Sequence, residues 1–193
     1  PNNPTGNSIN GIETILNSFD GIVIVDEAYI DFSEKDSWLK KINEFPNLII
    51  SQTFSKALGL AAARVGLAYA NPELISWFNK VKSPYNVSAL NQNAALDVLN
   101  QQDQILENIT VIKSEKIDLI GNLNNLQLIK KIYPSDANFV LIEVSDADAI
   151  YEYLIAQKVV IRNRNSVVKS CLRITVGSPE ENIKLLNALK NYK

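Results

Sequence analysis

The chain has 193 residues, of which 46% are hydrophobic, and a formal net charge of −2 from 19 basic and 21 acidic side chains. This length and composition predict a folded core in one large domain or two small ones. No block of like charge indicates nucleic acid or an anionic membrane surface as a partner, and no apolar run approaches the ~20 residues that a membrane helix needs. We therefore predict a soluble, cytoplasmic protein that acts on small molecules or contacts other proteins.

Two missing residue types restrict the chemistry further. The chain has no histidine, which excludes Ser-His-Asp and Cys-His nucleophiles, histidine bases and imidazole-based zinc sites. The single cysteine, Cys171, excludes an intrachain disulfide. Any catalysis must therefore use Lys, Tyr, Asp or Glu, or a cofactor. The chain also lacks methionine and begins at Pro1, so we expect it to be a piece of a longer protein.

The first half of the chain alternates strands with helices or loops. A turn cluster at residues 1–6 precedes a predicted helix over residues 9–19, and residues 22–25 form a β-branched run typical of a parallel strand that is covered on both faces. Further strands are predicted over 47–51 and 65–70. This rhythm indicates an α/β fold with a mostly parallel sheet.

The second half has a different order of elements. Periodicity predicts helices over residues 72–82, 87–99 and 101–122, and we place a domain boundary between the last two, giving domains 1–100 and 101–193. The rest of the chain reads as a small α+β domain. Its predicted strands cover residues 137–144, 159–162 and 172–176, and its predicted helices cover 146–157 and 179–192.

Lys56 is the first candidate catalytic residue. It follows a buried strand, where α/β proteins place functional groups, and a partly desolvated amine near a cation becomes a nucleophile toward carbonyl carbons. Thr53, Ser55 and Arg64 provide two hydroxyls and a fixed cation nearby, a combination that suits a phosphate. The alternative is an ordinary surface lysine in a polar loop.

Other candidates lie at predicted strand ends. Asp26 ends the strand of residues 22–25 and Tyr29 follows three residues later, where an open α/β sheet binds ligands. Asp26 can equally begin a turn or cap a helix. Arg162 and Arg173, at or near two strand ends in the small domain, can bind an anionic substrate, or form ordinary surface ion pairs.

Taken together and in this order, the motifs resemble the fold-type I pyridoxal-phosphate aminotransferases. The superfamily motifs are Asn3-Pro-Thr-Gly6, Asp26-Glu-Ala-Tyr29, and Ser55-Lys56 with Arg64. Three further motifs are similar to the histidinol-phosphate aminotransferase subgroup, namely Ser83-Pro-Tyr-Asn-Val-Ser88, Asp136-Ala-Asn-Phe139 and Cys171-Leu-Arg-Ile-Thr-Val-Gly177. The resemblance implies that residues 1–100 are the second half of a mostly parallel large-domain sheet.

The resemblance also implies a role for each candidate residue. Lys56 holds pyridoxal 5'-phosphate covalently and then carries the proton, while Asp26 pairs with the pyridinium nitrogen. Arg173, with Arg162, binds the substrate phosphate or a carboxylate of glutamate. The remaining contacts to the cofactor are Asn3 and Tyr29 on the phenolic oxygen, and Thr53, Ser55 and Arg64 on the phosphate.

The implied activity is exchange of an amino group between histidinol phosphate and 2-oxoglutarate by a homodimer. The alternatives within the superfamily are an aromatic or aspartate aminotransferase and a phosphothreonine decarboxylase. A serine-type acyl transferase is disfavoured because the spacing gives Thr53-x-x-Lys56 and no Lys-Thr-Gly follows. Another alternative is a folded fragment without activity, because the ring-stacking aromatic and further phosphate donors of the family precede Pro1. We expect residues 1–193 alone to be inactive, to bind the cofactor weakly or not at all, and to self-associate.

Overall fold

The computed structural model describes residues 1–192 and forms two compact units. The first unit contains Pro1 and Ile9–Glu107, and the second contains Asn2–Ser8 and the chain from Asn108 onward. The assignment of residues 1–100 and 101–193 to a large and a small domain stays a prediction. Within residues 1–192, no helix combines the length and apolar character required to cross a membrane.

The first unit is built around a three-stranded sheet. Its strands are β1 (Val23–Asp26), β2 (Leu48–Thr53) and β3 (Gly66–Tyr69), in the order β1-β2-β3. β1 and β2 are parallel, as predicted, and β3 is antiparallel to β2. The helices of this unit are α1 (Ile12–Ser18), α2 (Pro72–Val81) and α3 (Ala89–Leu99), and α4 (Gln102–Leu123) begins here and continues in the second unit.

Only one face of β1 packs on a core. Val23 and Val25 contact the cluster formed by Leu16, Phe45, Leu48 and Ile50. On the opposite face Ile22 and Ile24 are 48% and 64% exposed. The prediction that residues 22–25 are covered on both faces is therefore wrong for the part of the chain that the structure describes, because its apolar cluster packs against one side only.

The second unit is an antiparallel sheet covered by helices on one face, which confirms the predicted α+β character. The strand order is β4-β5-β7-β6, with all pairs antiparallel. Alternate residues of β5 and β7, such as Ile142 and Ile174, pack with helical residues such as Ile150 and Leu185 in one core. The elements are β4 (Ile129–Ile132), β5 (Phe139–Val144), α5 (Ala147–Ala156), β6 (Arg162–Asn163), β7 (Cys171–Thr175) and α6 (Pro179–Lys190).

Candidate active site

The parallel pairing of β1 and β2 places the ends of both strands at one sheet edge. Asp26, the last residue of β1, lies opposite Ser51, and β2 ends two residues later at Thr53. Asp26 Oδ1 accepts a hydrogen bond from the Ala28 backbone N–H at 2.9 Å, so Asp26 does form the turn that the alternative interpretation predicted. Its side chain is nevertheless exposed. The turn orients a carboxylate at the edge where α/β sheets bind ligands.

Lys56 is exposed but has a defined neighbour. Its Nζ lies 5.2 Å from the centroid of the Tyr29 ring, and Tyr29 is only 8% exposed. An ammonium over a buried aromatic face is attracted by the negative face of the ring. The first unit therefore brings Lys56 and Tyr29 together.

The three residues predicted to bind phosphate are only partly brought together. Thr53 Oγ1 accepts from the Ser55 backbone N–H at 3.1 Å and donates to the Val65 carbonyl oxygen at 3.5 Å. Arg64 has a left-handed φ of 54°, and its Nη1 donates to the Ala61 carbonyl oxygen at 3.0 Å. Within residues 1–192 no hydrogen bond joins Arg64 to Thr53 or Ser55, so their shared role stays a prediction.

Glu27 is a site residue that the sequence reasoning missed. Its side chain is 3% exposed and carries no paired cation among the described residues. Oε1 accepts from the Trp38 backbone N–H at 2.7 Å, and Oε2 accepts from Ser37 Oγ at 2.6 Å and Gln52 Nε2 at 3.0 Å. Glu27 thus ties the segment that carries Asp26 to the strand that leads to Lys56. Strand alternation was the available signal, because it places Glu27 on the same face as Val23 and Val25, which pack on the core.

In the second unit the two candidate arginines face each other across neighbouring strands. Arg162 of β6 is the register partner of Arg173 of β7. Arg173 lies at the centre of β7 rather than near its end, because the strand begins at Cys171. Its Nη1 donates to Asn3 Oδ1 at 2.6 Å, and its Cζ lies 4.8 Å from the centroid of the Phe139 ring.

Asn3 therefore contacts Arg173 within the second unit, whereas Tyr29 belongs to the first unit. The resemblance implied that Asn3 and Tyr29 share one ring oxygen of the cofactor. That role stays a prediction for both residues.

The residues at the first unit's sheet edge fit pyridoxal phosphate by their chemistry. The carboxylate of Asp26 complements a cationic ring nitrogen, the amine of Lys56 complements an aldehyde, and the Tyr29 hydroxyl complements a phenolic oxygen. Thr53 and Ser55 provide hydroxyl donors for a phosphate. Within residues 1–192 there is no group of three or more His, Cys, Asp or Glu residues arranged to hold a metal ion.

The sequence profile of the aminotransferase class I and II family matches residues 1–189, and the chain belongs to this family. Among curated proteins, the histidinol-phosphate aminotransferase of Parabacteroides distasonis is 49% identical over 197 residues. That alignment covers 100% of this chain and 57% of the relative, so the chain spans little more than half the length of the relative.

Solved structures show the same fold. A histidinol-phosphate aminotransferase from Clostridium acetobutylicum matches with a TM-score of 0.90 and 28% identity, over 98% of this chain and 61% of that chain. A histidinol-phosphate aminotransferase from Sinorhizobium meliloti, in complex with pyridoxal-5'-phosphate, matches with a TM-score of 0.81 and 26% identity, over 98% and 54%. The mixed α/β architecture is thus that of known aminotransferases, in a chain that corresponds to a C-terminal portion of them.

Proposed function

We propose that the protein containing this chain is a pyridoxal-phosphate-dependent aminotransferase that exchanges an amino group between histidinol phosphate and 2-oxoglutarate. The observation that carries the proposal is the register of β1 and β2, which sets the Asp26 carboxylate beside the strand that leads to Lys56. The identity to histidinol-phosphate aminotransferases supports the choice of substrate.

Pyridoxal phosphate, when bound, supplies an aldehyde carbon that bonds reversibly to amines and a ring that accepts electron density from the substrate carbon. Lys56 would hold the cofactor covalently through Nζ, and once the substrate amine has taken its place the freed amine would take the proton from the substrate carbon. The contact of Nζ with the Tyr29 ring supports a position of the free amine close to Tyr29.

Asp26 supports the reaction electrostatically. Its carboxylate would hold a proton on the ring nitrogen of the bound cofactor, and the positive charge of that nitrogen would favour electron density in the ring. The hydrogen bond from Ala28 N–H orients the carboxylate beforehand. Thr53, Ser55 and Arg64 bind the cofactor phosphate, and Asn3 and Tyr29 bind its phenolic oxygen.

Arg162 and Arg173 bind the anionic end of the substrate. Because histidinol phosphate has no α-carboxylate, the same pair must accept its phosphate in one half-reaction and a carboxylate of glutamate in the other. We also propose that the protein is a cytoplasmic homodimer. Its other partners are its small-molecule substrates, histidinol phosphate with glutamate and 2-oxoglutarate.

Amino transfer assays test the proposal. The full-length protein with pyridoxal phosphate is offered histidinol phosphate with 2-oxoglutarate, and glutamate formation is measured. Aspartate, aromatic amino acids and phosphothreonine are offered in parallel. We expect histidinol phosphate to give the highest kcat/KM by about tenfold or more. Faster transfer from an aromatic amino acid or aspartate, or release of carbon dioxide from phosphothreonine, contradicts the proposal.

A further inference from the structure

The sheet of the second unit has one face turned away from its helical core, and arginines are placed along it. Arg162 and Arg173 are register partners, and Leu141 of β5 lies opposite Arg173. The Arg164 backbone N–H donates to the Cys171 carbonyl oxygen at 3.0 Å, so the pairing of β6 with β7 continues for one more row. Strand alternation therefore puts Arg164 on the same face as Arg162.

Neighbouring residues confirm this alternation. Ile161 is part of the core cluster, on the helical side of the sheet. Asn163 also turns toward the helices, because its Nδ2 donates to Asp148 Oδ1 of α5 at 2.6 Å. The residues between and after them, Arg162 and Arg164, consequently turn toward the other face.

The guanidinium group of Arg164 lacks a partner within residues 1–192. Its Nε is buried from solvent and makes no hydrogen bond there, and no ion pair of Arg164 occurs in that part of the chain. Glu143 of β5 is the register partner of Cys171 on the side opposite β6. Its Oε2 accepts from the Tyr133 hydroxyl at 3.2 Å. A buried donor on a cationic group is costly unless an acceptor reaches it, which calls for an anion.

The backbone around Arg164 is held in place by a hydrogen-bonded loop. Asp148 accepts from Asn163 Nδ2 at 2.6 Å and from Asn165 Nδ2 at 2.8 Å. Asn165 Oδ1 in turn accepts from the Ser170 backbone N–H at 2.8 Å. Because Asn163 and Asn165 both donate to Asp148, the backbone on each side of Arg164 is held in place at the end of β6.

We propose that Arg164 is a specificity-determining residue whose guanidinium binds the phosphate of histidinol phosphate beside Arg162 and Arg173. The inference rests on the proposed function. A phosphate monoester carries close to two negative charges at neutral pH and three peripheral oxygens, which suits three guanidinium groups. A glutamate carboxylate has one charge and two oxygens, and Arg162 and Arg173 suffice for it.

The test uses the full-length, cofactor-loaded protein with Arg164→Ala and Arg164→Lys, and with Lys169→Ala as the matched control, because Lys169 is an exposed cation on the same loop. Calorimetry gives dissociation constants for inorganic phosphate, histidinol phosphate, histidinol and glutamate. We expect Arg164→Ala to weaken phosphate and histidinol phosphate by about 10- to 100-fold, and histidinol and glutamate by less than about threefold. Arg164→Lys should recover only part of the loss, and Lys169→Ala should match the wild type.

Two results overturn the inference while leaving the proposed function intact: unchanged binding of both phosphate ligands in Arg164→Ala, or equal weakening of histidinol and histidinol phosphate. If instead Arg164→Ala loses inorganic phosphate and the wild type fails to transaminate histidinol phosphate, the anion site stands and the proposed function fails. Circular dichroism of Arg164→Lys, which keeps the charge and most of the side-chain volume, shows whether a loss reflects misfolding.

Discussion

Two side chains at the edge of the first sheet carry the proposed chemistry, and they are held in different ways. Lys56 is exposed and is positioned by one aromatic contact, whereas Asp26 is fixed by a hydrogen bond in its own turn. In the proposed mechanism the amine of Lys56 must give up its bond to the cofactor and then take a proton from the substrate, so it benefits from freedom to move. A carboxylate that stabilises a charge works best when it is already oriented.

Replacing Lys56 by alanine should reduce transamination by more than about 10⁴-fold, since both the covalent attachment and the proton carrier are lost. Steady-state and single-turnover rates of the full-length protein measure this. Lys80→Ala removes another exposed lysine, on α2, and should leave both rates unchanged. A Lys56→Ala rate near the wild-type value would remove Lys56 from the mechanism.

Asp26→Asn separates charge from geometry. The asparagine oxygen can still accept from Ala28 N–H, so the turn should persist, but an amide no longer stabilises a protonated ring nitrogen. We expect kcat to fall by about 10²- to 10³-fold with an unchanged unfolding midpoint. The control is Asp20→Asn, an exposed acid outside the strand. A loss of activity of only a few-fold would mean that Asp26 forms the turn but does not take part in the reaction.

At the scale of elements, the sequence predicted best where local signals agree with packing. The helix predicted over residues 72–82 is α2, which begins at Pro72, and Asn71 Oδ1 caps it by accepting from the Leu74 backbone N–H at 2.9 Å. The strand β4 was not predicted, because Lys130 and Lys131 interrupt its apolar pattern and its register with β5 shifts between Ile129 and Lys131. Its position depends on pairing with β5, which is a long-range effect.

The candidate site shows the same division. The motifs named Lys56 and Tyr29, and the structure brings them into contact. The link from Asn3 to Arg173 spans 170 positions along the chain, and the partners of Glu27 come from two separate segments. Local pattern reports residue types and spacing, so contacts of this kind appear only when the chain is folded.

Glu27 links the segment after β1 to β2 and to the loop at Ser37 and Trp38, so its removal should lower the free energy of unfolding. Glu27→Ala leaves the donors of Ser37, Trp38 and Gln52 without their acceptor, at a cost of about 2–4 kcal/mol in the free energy of unfolding. Urea denaturation of the full-length protein measures the shift in midpoint.

A conservative variant and a control make this prediction sharper. Glu27→Gln should cost less than Glu27→Ala, because the Ser37 hydroxyl can rotate and the Gln52 amide can turn to offer an acceptor. Glu44→Ala removes an exposed acid from the connection between β1 and β2, which also carries Glu27, and should change the midpoint little. Equal stability of Glu27→Ala and Glu44→Ala would mean that the network of Glu27 contributes nothing.

At the scale of the whole molecule, the exposed apolar side of β1 sets how this polypeptide behaves by itself. Ile22 and Ile24 are 48% and 64% exposed on one side of a strand that has only β2 as its partner among the described residues. An open strand edge next to apolar side chains favours association with other chains. The curated relatives are longer than this chain, which supplies little more than half of their length.

We therefore expect residues 1–193, expressed alone with pyridoxal phosphate, to show no transamination and to self-associate in a concentration-dependent way. Light scattering after size exclusion measures the association. The double variant Ile22→Thr and Ile24→Thr keeps β-branched residues in the strand and removes apolar surface, so it should shift the population toward monomer. Val160→Thr changes an isolated residue that is 75% exposed in the second unit and should leave the distribution unchanged. If the double variant associates as strongly as the unsubstituted chain, another surface drives the association. If the unsubstituted chain is monomeric, cofactor-loaded and active, both parts of the prediction are contradicted.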